Sequence, residues 1–182
     1  MATKLGCSAL SVLLFMALSF VSVSAYAYED YISLDRQTKQ QSNWCWAACA
    51  STILDYHAKT VSQTSFATYV LNSPSNFSAT TIQVKNGLSH WGVSSTHVTS
   101  YVSYDVIRAE INTYSRPIYA KWTWTEGGGH AVVIDGYCTD SVNYVDYMDP
   151  DDGAAHFATY TWVVGGSGYD HTWDQTLKSI HD

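Results

Sequence analysis

The chain has 182 residues, a formal net charge of -7, and nine Lys and Arg against sixteen Asp and Glu. That length fits one domain able to bury its own core without covalent staples. The few, scattered cations exclude nucleic acid and anionic membrane surfaces as partners.

Residues 1–27 read as a secretory signal. Lys4 is the only charge, an apolar run follows from Ser8 to Val21, and small residues lead to Ala25-Tyr26-Ala27. A charged start, a short apolar core and an A-x-A-like site are the layout of a cleaved signal. The run is broken by serines and is barely long enough to span a bilayer. Cleavage is expected after Ala25 or Ala27, leaving residues 28–182 as a secreted, extracellular, monomeric domain with no stable membrane insertion. Cys45, Cys49 and Cys138 remain. An odd number leaves at least one thiol free, with Cys49 and Cys138 either bridged or simply buried.

Residues 28–42 read as an extended polar segment, with Tyr31, Ile32 and Leu34 able to form an edge strand. From 43 to 58 the pattern is helical: Trp46, Cys49, Ala50, Ile53 and Leu54 recur at three- and four-residue spacing. Ser42 or Asn43 is the expected N-cap. Ser62 caps a second helix running to Leu71, and a third spans 80–90 before Gly92. β character begins near His97. A short amphipathic helix spans 104–114, and Arg116-Pro117 stops it. Strands are expected over 117–124, 130–137, 143–148 and 156–164, and a short helix over 173–180. Helices first and antiparallel strands second make the fold class α+β.

The chemistry centres on Cys45. A helix that starts at Asn43 puts Cys45 in its first turn, beside unpaired N–H groups and the positive end of the helix dipole. That setting favours the thiolate. A nucleophilic cysteine needs a base, and the base needs an orienting group. His130 is the best base candidate, because it follows Gly127-Gly128-Gly129 and opens the most apolar strand. The hairpin after it supplies the orienting group. A two-residue turn at 139–140 places His130 opposite Asp149, and a turn one residue later places it opposite Asp151; directly opposite residues share a face. Asp149 is the choice, since Pro150 holds it extended. The N–H of Cys45 is one oxyanion donor, and Gln40 or Gln41 is available as a second.

Three separated pieces carry a resemblance: Gln-Gln-Ser-Asn-Trp-Cys-Trp-Ala-Ala, then Gly-Gly-His-Ala-Val-Val-Ile-Asp-Gly-Tyr, then Asp-Pro. In this order they resemble the papain-like cysteine peptidase superfamily. Within it, they are similar to small bacterial members: bacteriocin-leader-processing peptidases and secreted effector proteases with a Trp-Cys-Trp-Ala-Ala motif. The resemblance implies a hydrolase with Cys45 as nucleophile, His130 as base, Asp149 as its orienter and a glutamine in the oxyanion hole. The family glutamine lies six residues before the cysteine. Here that residue is Lys39, so Gln40 is the substitute. The interval from Cys45 to His130 is well short of the about 130 residues of the papain type, which fits the compact branch.

The expected activity is peptide-bond hydrolysis through an acyl-enzyme, on a peptide or protein substrate, with no cofactor and no metal. Two other classes compete. The same residues would serve a deamidase, an acyl transferase or a cell-wall peptide hydrolase, distinguished by a pocket that Trp44, Trp122 and Trp124 are candidates to line. An inert, secreted binding module would use the Tyr- and Trp-rich surface instead. A Zn site on Cys45 and Cys49 lacks a clear second ligand pair.

Overall fold

A computed structural model of the chain describes residues 28–182, so the signal-peptide reading of 1–27 lies outside the described residues. The first half is helical. After β1 (Tyr28–Tyr31) come α1 (Cys45–Tyr56), α2 (Gln63–Leu71) and α3 (Thr81–His90). The second half is mainly strand: β2 (Ser94–Val98), β3 (Ile118–Trp124), β4 (Gly129–Thr139), β5 (Asn143–Asp149), β6 (Ala154–Thr159) and β7 (His171–His181). Between β2 and β3 lies α4 (Tyr104–Arg108), which runs into a π-helical turn at Ala109–Thr113. The α5 helix (Tyr160–Val164) follows β6. The fold is α+β.

Seven strands form one antiparallel sheet in the order β2-β7-β3-β4-β5-β6, with β1 paired to the far end of β4. The helix α1 is buried from Trp46 to Leu54 without a polar face, as expected of a helix enclosed by the fold. The Cys49 thiol donates to the Ala131 carbonyl at 3.3 Å, and Thr52 Oγ1 lies 3.7 Å from Met148 Sδ. These contacts seat α1 on β4 and β5. The α2 helix is capped by Ser62, whose hydroxyl accepts from the Ser65 N–H. A reciprocal capping box between Thr80 and Gln83 starts α3.

Four sequence expectations need correcting. First, α1 is not capped by Ser42 or Asn43. Its N-cap is Trp44, with no side-chain cap bond, because both polar side chains bond Asn76 instead. Second, 160–164 is helix rather than strand, started by the Thr159 hydroxyl accepting from the Trp162 N–H. Third, the 173–180 segment is not a helix but most of β7, an interior strand between β2 and β3. Irregular register against both neighbours, together with Ser179 at φ +51°, breaks its two-residue alternation. Trp173, Leu177 and Ile180 are all fully buried, at a spacing that imitates a helix. Fourth, the β4–β5 turn has three residues, because Thr139 pairs with Asn143, and a bulge at Asp135 shifts the register to Val133 opposite Met148.

Candidate active site

The site is built where the N-terminus of α1 meets the start of β4. Cys45 sits between two anchored tryptophans. The Trp44 indole donates to the Ser75 carbonyl at 3.0 Å and the Trp46 indole to the Phe77 carbonyl at 3.1 Å, and both rings are buried. The polar tips are thus satisfied while the ring bodies pack. Because no side chain caps α1, the Cys45 N–H has no acceptor among the described contacts. Cys45 itself is partly exposed.

His130 follows Gly127-Gly128-Gly129 as the second residue of β4. Its ring lies against Trp122 and Trp124, at centroid distances of 6.0 and 6.2 Å. Its Nε2 is 2.7 Å from Asp149 Oδ1. The Asp149 carboxylate also accepts the Asp151 N–H at 2.9 Å. Regular pairing of β4 with β5 stops at Val133 and Met148, so His130 has no direct partner on β5. Yet both aspartates weighed from the sequence are near it, since Asp151 Oδ1 lies 3.7 Å from Nδ1.

Burial of His130 favours the neutral ring, but hydrogen bonds to Asp149 and Cys45, with the charges of both, outweigh it and raise the pKa to about 9. Asp149 responds in the opposite direction. Its burial favours the protonated acid, but the bond from His130 and the Asp151 N–H hold its pKa below the ordinary carboxylate value. One turn along α1, burial and then the Cys45 charge push the Cys49 thiol well up, leaving it an inert packing group.

Cys45 and His130 open into a cleft of about 520 Å³, also lined by Trp46, Ser78–Ile82, Tyr119, Lys121, Gly128, Gly129, Ala131 and Gln175. The tryptophan in its wall is Trp46; Trp44, Trp122 and Trp124 do not line it. Lys121 bonds Thr123 and Asp174, so its charge is already partnered.

The segment before Cys45 is clamped on two sides. From α2, the buried Gln63 donates to the Thr38 carbonyl and accepts the Gln40 N–H, both at 2.9 Å. From the β5–β6 turn, the Pro150 carbonyl accepts the Lys39 N–H at 2.7 Å. Gly153, at φ +71°, lets the chains approach this closely, because a Cβ there would meet Thr38 Oγ1 at 2.6 Å. The Gln40 side chain is exposed and outside the cleft lining, and Lys39 Nζ instead reaches Asp151 Oδ1 at 2.6 Å. Sequence reasoning missed Gln63 and the Lys39–Asp151 pair. Nothing in a glutamine on the first turn of a helix announces partners more than twenty residues away.

Among the described residues, His130, Asp149 and Asp151 are the group whose ligand atoms come within 4.8 Å of one another. These atoms are already engaged with one another and with Lys39.

A cysteine at a helix start, facing a histidine backed by a carboxylate across a cleft, defines the papain-like class of cysteine peptidase. The model of the family described as "Papain-like cysteine protease AvrRpt2" matches residues 28–163, and the chain belongs to that family. It is a papain-like cysteine peptidase, a hydrolase. Among curated proteins no match was found. Two solved structures are similar in fold. One is a double glycine motif protease from an AMS/PCAT transporter in complex with the leader peptide. It has a TM-score of 0.54 and 14% identity, covering 82% of this chain and 92% of that one. The other is UfSP from C. elegans, with a TM-score of 0.58 and 11% identity, covering 91% of this chain. This chain spans 36% of that longer protein.

Proposed function

We propose that Cys45, His130 and Asp149 act together as nucleophile, acid–base and orienter in hydrolysis of a peptide bond. One observation carries the reading: His130 bonds Asp149 through Nε2 at 2.7 Å while it shares the cleft with Cys45. The Cys45 thiolate adds to the substrate carbonyl, and the carbonyl pair moves onto oxygen. The Cys45 N–H, with a side-chain donor from the segment before it where Gln40 was expected, stabilises that oxyanion. The charged His130 gives its proton to the leaving amine as the carbon–nitrogen bond breaks. It then takes a proton from the water that releases the acyl group. All these groups come from one copy of the chain, so the reading needs no second copy to complete the site. The leader peptide held by one similar structure supports an extended peptide or protein as substrate.

The protein acts outside the cell in this reading, after removal of 1–27 as a signal. N-terminal sequencing of the protein recovered from culture medium should begin at Tyr26 or Tyr28. Intact Met1 on the recovered protein would refute secretion by cleavage. Catalysis is tested with iodoacetamide at mildly acidic pH and with peptide libraries. Rapid alkylation should be lost in Cys45→Ala and slowed in His130→Ala, and library peptides should be cut. Release of ammonia from the libraries without chain cleavage would identify a deamidase instead. Slow labelling and no turnover would leave an inert binding module.

A further inference from the structure

Lys39 lies beside His130 although it takes no part in the cleft wall. Its Nζ is 2.6 Å from Asp151 Oδ1, and the same oxygen is 3.7 Å from His130 Nδ1. With Nε2 held by Asp149, Nδ1 is the nitrogen left for Cys45. The cation is the more enclosed partner of its pair. The Lys39 side chain is 24% exposed and that of Asp151 57%. The backbone under it is fixed from both sides, by Pro150 at Lys39 and by Gln63 at its two neighbours. A held ammonium therefore stands one carboxylate oxygen away from His130 Nδ1.

An oxyanion formed at Cys45 meets the uncapped start of α1, where the Cys45 N–H has no acceptor among the described contacts. Backbone donors alone leave the new charge without a cationic partner. We propose that the Lys39 ammonium is the second oxyanion donor, aimed by Asp151, a role that rests on the cysteine peptidase reading above. Nothing is transferred to or from Lys39. One of its N–H groups donates to the carbonyl oxygen as thiolate addition puts negative charge there, and releases it when the carbonyl re-forms. Asp151 is a positioning residue: it accepts from the ammonium and keeps it from swinging into solvent.

The test separates addition to a carbonyl from simple thiolate reactivity. Alkylation by iodoacetamide forms no oxyanion, whereas acylation by p-nitrophenyl acetate does. In Lys39→Met, the Cys45-dependent acylation burst should slow by about 10²–10³-fold while alkylation of Cys45 changes only a few-fold. Lys39→Gln, which keeps a neutral donor, should recover a large part of the burst rate. Asp151→Asn should give an intermediate loss. Equal slowing of alkylation and acylation in Lys39→Met would overturn the proposal and make Lys39 a structural strap. So would an unchanged burst, or a loss confined to Gln40→Ala. If the unmutated protein shows neither rapid alkylation nor a burst, the peptidase reading fails and this role falls with it.

Discussion

At the scale of the residue, His130 is the group whose chemistry is most strongly set by its neighbours. Burial opposes its charge, and the carboxylate of Asp149 with the thiolate of Cys45 reverses that opposition and holds the pKa at about 9. The imidazolium therefore persists through neutral pH, so in the proposed mechanism the proton for the leaving amine is in place. Because His130 titrates upward, kcat/KM should fall as pH rises through about 9, not through the ordinary histidine value near 6.5. A pH–rate profile on a cleaved library peptide checks this. In Asp149→Asn the largest support for the charge is gone. The alkaline limb should then move to lower pH, and kcat should drop by about 10²–10⁴-fold. A drop in kcat with an unmoved limb would mean that Asp149 does not tune the ring. The placement of Cys45 and His130 in one cleft was readable because each stands next to sequence that declares its backbone, a helix start and a glycine loop. The Lys39–Asp151 ion pair was not, because its two members lie more than a hundred residues apart.

At the scale of the element, the segment leading to α1 is fixed to the sheet by Arg36. Its Nε and Nη2 donate to Asp135 Oδ2 at 3.1 and 2.7 Å. Asp135 is fully buried at the β4 bulge, its carbonyl accepts the Ile32 N–H, and its other carboxylate oxygen has no partner. Burial raises its pKa to about 7 against the pull of Arg36, and Asp146 nearby adds to the rise. A carboxyl raised in the fold costs stability as pH climbs from its unfolded value near 3.9 to its folded one. Arg36→Met removes the compensating charge and lifts the folded value further. It should lower stability by about 2 kcal/mol at pH 8, once the partial exposure of Arg36 is allowed for, and by less at pH 5. Urea unfolding at the two pH values checks the sign, and adding Asp135→Asn should restore most of the loss at pH 8. The α2 and α3 helices were legible because their caps and apolar spacing are local. The hairpin register was not, since the bulge at Asp135 answers to Arg36 and Ile32, outside the hairpin. Even so, Asp149 does lie beside His130 as hairpin geometry suggested, because the true turn and the bulge leave both candidate aspartates within reach of the ring.

At the scale of the whole molecule, the C-terminal segment decides how the sheet is assembled. The family model ends at residue 163, and a helix at 173–180, as the spacing suggested, would have been a peripheral addition. Instead β7 lies between β2 and β3, pairing with both along its length. It brings fully buried Trp173, Thr176, Leu177 and Ile180 into the core. The His171 ring is also fully buried, with Nε2 2.9 Å from the Trp162 carbonyl, which ties β7 to α5. Without β7, β2 has no strand partner, and β3, which carries the Trp122 ring against His130, becomes an edge. The two predicted topologies separate cleanly by truncation. A chain ending at residue 163 loses several buried side chains, each worth about 1.5–3 kcal/mol, together with two strand ladders. That loss is comparable to the roughly 5–15 kcal/mol that holds a domain together. The truncated chain should show no cooperative thermal unfolding by circular dichroism and no rapid alkylation at Cys45. A truncated chain that still melts cooperatively and labels at the full-length rate would mean that the sheet closes without β7, and that the central place of this strand is not what holds His130 against Cys45.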